Sequence, residues 1–331
     1  MSEQTDVQQG GASITTPLTE LLGVVCPILL APMGGVAGGR LAAAVSEAGG
    51  FGIVGGGYGH REELERELAA AGTARVGIGF ITFALDERRD SLRFALERRP
   101  VAVQLSFGDP APYVDDIRAA GALLISQVQT VDEGRRAVAV GADVVIVQGQ
   151  DSGGHGRPGR GTIGLVPATV DALAGVPVVA AGGLADGRGL AAALMLGASG
   201  ISLGTRLYAS AEATSDAAAR ARLVASTGDD TVRTEAFDVL RGPAWPAPYD
   251  GRVVRNRISD EWDPDSDDAR RAELRAALRG AAADDYGVKP LWAGEGLDLI
   301  DAIEPAAAIL RSIVSTAAKL LAAAPGLLDN R

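Results

Sequence analysis

Lysine is nearly absent from this chain of 331 residues: only Lys289 and Lys319 occur, and neither follows a segment of strand character. That argues against Schiff-base chemistry, which needs a lysine in the site. Histidine occurs twice, at His60 and His155, with no His-x-His pair. A metal-dependent hydrolase is therefore disfavoured, and no metal is expected. The single cysteine, Cys26, permits no internal disulfide, which fits a reducing compartment. Its apolar neighbours mark it as a small buried hydrophobe rather than a nucleophile. Positive charge is in deficit, with a net charge of −11, so neither nucleic acid nor an anionic membrane is an expected partner. Residues 1–17 are polar and lack the apolar core of a secretion signal. The expectation is a flexible stretch over 1–14 and a cytoplasmic protein. The uncharged stretch 21–39 is long enough to span a bilayer. Two prolines and five glycines interrupt it and no basic flank precedes it, so it reads as a strand followed by a glycine loop.

Glycine, by contrast, is abundant at 44 residues, and 47% of the chain is hydrophobic. That suits one barrel-sized domain with an insertion, or two domains. Eight short apolar runs recur, at 27–31, 51–54, 76–80, 101–105, 122–126, 144–147, 177–180 and 200–203. Each is followed by a segment compatible with a helix, of which 61–71 (REELERELAAA) is the clearest. Continuous apolar strands alternating with helices predict a parallel sheet. Eight such units predict an α/β fold, a (β/α)8 TIM barrel, with an open doubly wound sheet as the alternative. The pattern breaks after the eighth run. Residues 209–290 carry mixed charge and an acidic run around 260–268, and read as a helical insertion or lid. The barrel then comprises 15–208 and 291–325. Trp245, between Pro243 and Pro246, is a candidate contact near the mouth, with surface packing as the plainer expectation.

Ligands of such barrels meet the C-terminal strand ends. The sixth run, Val144-Val145-Ile146-Val147, passes into Gln148-Gly149-Gln150-Asp151-Ser152-Gly153-Gly154-His155. Paired glycines allow close backbone approach to a ligand. The histidine that follows is suited to act as a general base or to bond a developing anion. After the seventh and eighth runs come Gly182-Gly183 and Gly204-Thr205, where barrels commonly hold a phosphate on backbone N–H groups. These features together imply a phosphate-bearing cofactor, a glycine-lined mouth and one proton-active histidine.

Several pieces resemble one family: Thr16-Pro17-Leu18-Thr19-Glu20-Leu21-Leu22-Gly23, Ala31-Pro32-Met33-Gly34-Gly35, Leu105-Ser106-Phe107-Gly108, the Gln148–Gly156 loop and Leu165-Val166-Pro167. The run from Ala180 to Gly189 and on through Leu203-Gly204-Thr205-Arg206 is the most specific of them, and Gly294-Glu295-Gly296 also fits. The chain resembles the nitronate monooxygenases, formerly 2-nitropropane dioxygenases, which are FMN-dependent barrel flavoproteins. The resemblance implies FMN as cofactor and roles for matching positions. Met33 and Gly34 would approach the flavin ring through backbone atoms. Gln148 and Gly153 would contact the ring or ribityl chain. Gly182, Gly183 and the segment Ser202, Leu203, Gly204, Thr205 would hold the phosphate, and His155 would be the catalytic residue. The implied reaction oxidises alkyl nitronates with dioxygen to carbonyl compounds and nitrite, with a small-molecule substrate and dioxygen as partners and a homodimer allowed. The alternative is an NAD(P)H-dependent flavin reductase of a quinone or enoyl thioester; a non-catalytic flavin-binding module is a third reading. Two departures stand out: Gly79 where many members have a flavin-binding Asn, and Asp151-Ser152 where Glu-Ala is common.

Overall fold

The computed structural model describes residues 13–242 and 245–327. The expected flexible stretch thus lies outside the described residues up to position 12, as does Pro243. Eleven strands are present among the described residues: β1 Ile28–Leu30, β2 Ile53–Gly57, β3 Gly77–Ile81, β4 Ala102–Ser106, β5 Leu123–Val128, β6 Val144–Gln148, β7 Gly154–Gly156, β8 Val178–Ala181, β9 Gly200–Leu203, β10 Thr231–Thr234 and β11 Asp250–Val254. Eight of them form one parallel sheet in the order β1-β9-β8-β6-β5-β4-β3-β2. A parallel bridge between Leu29 and Phe51 joins β1 to the chain entering β2, which closes the sheet into a TIM barrel. The alternative of an open sheet is thereby excluded.

Strand periodicity builds two cores from one set of apolar runs. In β6, Val145 and Val147 face the surrounding helices, whereas Val144 and Ile146 point into the barrel. The interior cluster also takes Leu29, Ile53, Ile125 and Val179, and Leu18 and Leu22 join it. These two leucines lie on the helix Pro17–Leu22, capped by Thr16, whose hydroxyl also donates to the Ser199 carbonyl. Toward the C-terminal ends the inward positions turn polar: Gln104 in β4, Gln127 in β5 and Gln148 in β6. The barrel is therefore apolar through its middle and hydrogen-bonding at its mouth.

The helix Ala306–Ala323 packs on the helices Gly187–Met195 and Gly39–Glu47 through Ile309, Leu310, Ile313 and Val314, so it completes the barrel after β9. Between β9 and this helix lies the insertion. It holds the helices Ala217–Val224, Ala236–Arg241, Arg257–Glu261 and Asp268–Gly280, and also two strands the sequence did not suggest. β10 and β11 are antiparallel, and β11 pairs on its other edge with β7, placing Gly251 opposite His155. Both strands are short and carry arginine, so no apolar run marks them. The chain after 290 joins barrel and insertion: Leu291, Ala293, Leu297 and Ile300 share a cluster with Ala185 and Tyr208 of the barrel and with Ala219, Leu223 and Val254 of the insertion, and Gly294 N–H donates to Thr205 Oγ1.

Candidate active site

At the C-terminal end of the barrel lies a cavity of about 890 Å3, within the range typical of small-molecule and cofactor sites. Met33, Gly34, Gln148, Gly153, His155, Gly182, Gly183, Ser202, Gly204 and Thr205 all line it. Leu203 does not. It is fully buried among the residues between barrel and helices, because the strand alternation that turns Ser202 inward turns Leu203 outward. Only its backbone reaches toward the site, and its carbonyl already accepts from Ala31 N–H.

A chain of glutamines runs beneath the cavity, of which Gln127 and Gln148 line it. Gln104 donates to Gln127, and Gln127 and Gln129 both donate to Gln148 Oε1. Gln148 in turn donates to the His155 carbonyl at 3.2 Å. Gln104 Oε1 and Ser152 Oγ are buried without a hydrogen-bond partner among the described residues. On the β8–β9 side, the backbone N–H groups of Gly183, Leu184, Gly204 and Thr205 donate to no protein group among the described residues. Gly183 takes φ 66°, and a Cβ there would lie 3.1 Å from Asp151 Cβ. Such a patch of free donors beside bare glycine is the environment an anion needs. The orphaned Ser152 Oγ in the lining, free amides on one side and a flat glycine wall where Gly34 faces Gly57 fit a flavin nucleotide. Gly79 lies in β3 on the cavity wall, and a Cβ there would fall 2.3 Å from Pro32 Cβ. The ring of Pro32 thus fills the space that a side chain at 79 would take.

His155 sits in β7, held against β11. Its Nε2 lies 3.0 Å from both carboxylate oxygens of Asp238, a residue on the helix Ala236–Arg241. An ionised carboxylate only accepts, so Nε2 carries the proton and Nδ1 is left as an acceptor. Nδ1 has no protein partner among the described residues. Trp245 is stacked on the imidazole at 3.5 Å with an interplanar angle of 4°, and the Trp292 ring lies 4.7 Å away. Trp245 is 9% exposed, so the expectation of plain surface packing is overturned. Phe83, Phe107, Tyr58 and Tyr249 set their rings edge-on around it. The loop carrying His155 is pinned from the insertion, because Arg233 and Arg252 both donate to the Gln150 carbonyl. Burial lowers the basicity of Arg252, while Glu295 opposes that shift. Asp238 and Trp292 were not found by sequence reasoning, whereas Trp245 was named there as a candidate contact near the mouth. Asp238 is one of many acids in a charged stretch, and its partner is 83 residues away.

The family model for nitronate monooxygenase matches residues 15–87 and 86–316. A nitronate monooxygenase of Neurospora crassa is 34% identical over 333 residues, covering 86% of this chain and 87% of its own length. A hydroxy-octahydro-indene-carboxyl-CoA dehydrogenase of Mycobacterium tuberculosis is 34% identical over 276 residues, covering 81% of this chain and 73% of its own. Among solved structures, FabK from Thermotoga maritima superposes with a TM-score of 0.84 at 30% identity, covering 96% of this chain and 100% of that one. Nitroalkane oxidase from Streptomyces ansochromogenes gives 0.76 at 28% identity, covering 94% and 99%. With a barrel of this form and a family model spanning most of its length, the chain is an oxidoreductase and belongs to the nitronate monooxygenase family.

Proposed function

We propose that the protein binds FMN at the barrel mouth and oxidises alkyl nitronates with dioxygen to carbonyl compounds and nitrite. The observation that carries this reading is the imidazole of His155, held by Asp238 through Nε2 and walled by tryptophan, at the edge of a cavity whose β8–β9 side offers free amides. Gly182, Gly183, Ser202, Gly204 and Thr205 hold the phosphate. Met33 and Gly34 face the flavin ring, and Gln148 and Gly153 meet the ring or ribityl chain. When bound, FMN supplies the redox step between substrate and dioxygen. His155 takes the α-proton of a neutral nitroalkane at Nδ1, and Asp238 stabilises the imidazolium so formed. The insertion, through Trp245 and Trp292, keeps water from the reacting carbon. Its attachment to β7 means that the whole insertion cannot swing away without carrying His155 with it.

A second reading is an NAD(P)H-dependent flavin reductase of a quinone or enoyl thioester. It is favoured by Arg88 and Arg241 on the cavity rim, which form no salt bridge among the described residues and suit the phosphates of a nucleotide. The test is the mass of the chromophore released from purified protein, together with nitrite formed from ethyl nitronate in air. FMN and nitrite are expected. FAD, or FMN without nitrite, would overturn the corresponding half of the proposal.

A further inference from the structure

The cavity wall holds a second proton-active group that faces His155 across one indole. Tyr58 follows β2, whose last residue, Gly57, takes φ 51° and turns the chain into the mouth. The turn is braced from one neighbouring segment: Arg88 donates to the Tyr58 carbonyl, and Ser91 Oγ donates to the Gly59 carbonyl at 2.6 Å. The phenol oxygen accepts from Trp245 Nε1 at 2.8 Å. This is the same indole that lies flat on the imidazole of His155. Having accepted that bond, the phenol retains its own proton, which meets no acceptor among the described residues although Tyr58 lines the cavity. Burial holds the phenol above the ordinary tyrosine range, against the opposing hydrogen bond from Trp245, so it stays protonated near neutral pH.

Around the Trp245 indole the wall thus brings together an acceptor, His155 Nδ1, and a donor, the Tyr58 hydroxyl. We propose that Tyr58 is a second catalytic residue, donating a hydrogen bond to the oxygens of the substrate's planar NO2 group while His155 Nδ1 takes the proton from the adjacent carbon. The C–H bond breaks, its electron pair moves onto the nitro oxygens, the proton ends on Nδ1, and the phenol keeps its own proton. A donor aimed where charge develops lowers the barrier without reorganisation at the moment of reaction. The inference rests on the nitronate reading, and it specifies what holds the anion.

The test is binding of propionate, a planar oxyanion of similar shape, to the flavin-loaded protein, read by tryptophan fluorescence in the wild type, Tyr58→Phe and Trp245→Phe. Tyr58→Phe keeps the ring and removes only the donor; Trp245→Phe keeps the donor and removes the indole N–H. The expected result is an affinity loss of about 10- to 100-fold in Tyr58→Phe, the usual effect of losing a hydrogen bond to a charged group, with most of the affinity retained in Trp245→Phe. Equal losses in both variants would reduce Tyr58 to a prop for Trp245 and overturn the proposal. So would unchanged affinity in Tyr58→Phe, or a wild type that binds no propionate. If the variants differ as expected but ethyl nitronate yields no nitrite, the oxyanion site stands and the nitronate reading fails instead.

Discussion

Replacing Asp238 by asparagine changes the one group that decides where the proton of His155 sits. Nε2 is 3.0 Å from each carboxylate oxygen, and the two side chains are 15% and 10% exposed. The carboxylate accepts only, so it holds the proton on Nε2. An amide in the same place donates as readily as it accepts, and the tautomer with a proton on Nδ1 becomes available. The charge is lost as well. Opposite unit charges about 4 Å apart attract by about 4 kcal/mol at an effective dielectric near 20. That is the stabilisation an imidazolium at His155 would forfeit. At about 1.4 kcal/mol per tenfold in rate, the ceiling is about 10³-fold on proton abstraction. Residual solvent access reduces it, so kcat/KM for nitroethane should fall by about 10²-fold. Preformed ethyl nitronate needs no deprotonation, and its kcat/KM should fall less than about tenfold. Steady-state oxygen consumption with both substrates, beside a thermal melt to confirm folding, gives the comparison. Equal losses with both substrates, or no loss with nitroethane, would refute the assignment of Asp238 as the residue that positions the base.

Three further outcomes follow from the same geometry. His155→Ala should retain flavin and lose about 10²- to 10⁴-fold in turnover of neutral nitroalkane, the usual contribution of a positioned base; an unchanged rate would remove His155 from the mechanism. Gly183→Asp should abolish flavin retention, measured as absorbance per protein after gel filtration, because a carboxylate would enter beside Asp151 on backbone at φ 66° and face the phosphate; full retention would place the phosphate elsewhere. Gly79→Asn, which restores the residue many relatives are expected to carry, should destabilise the protein by about 1–3 kcal/mol through overpacking against Pro32. A melt at the wild-type Tm with tighter FMN binding would show that Pro32 yields.

The barrel was legible because its strands are buried on both faces. All eight apolar runs overlap β1–β6, β8 and β9, with ends displaced by a few residues where glycine or a polar mouth residue continues the strand, as Gly55-Gly56-Gly57 does in β2 and Gln148 in β6. The glycine and histidine positions after those strands could be read because a barrel gathers its C-terminal strand ends at one place. Leu203 belongs to the 202–205 segment by its backbone alone: with Ser202 turned to the lumen, the leucine side chain must face the helices. Of the residues around His155, only Trp245 could be named from the sequence, as a mouth contact. Trp292 comes from the segment just after the charged insertion, and Asp238 from the insertion itself, whose two strands, TVRT and DGRVV, have no apolar run to announce them. Their pairing with β7 is a tertiary event with no local signature. Tyr58 had no signal of its own in the sequence; the glycines before it form the turn that sets a phenol in the mouth.

Anaerobic mixing of the flavin-loaded protein with ethyl nitronate and, separately, with NADH, followed at the visible flavin band, tests the central claim most directly. The account predicts a spectral change with the nitronate, followed by stoichiometric nitrite when oxygen is admitted, and no rapid bleaching by NADH. Rapid bleaching by NADH, with a flavin that does not respond to the nitronate, would contradict it and assign the site to a reductase.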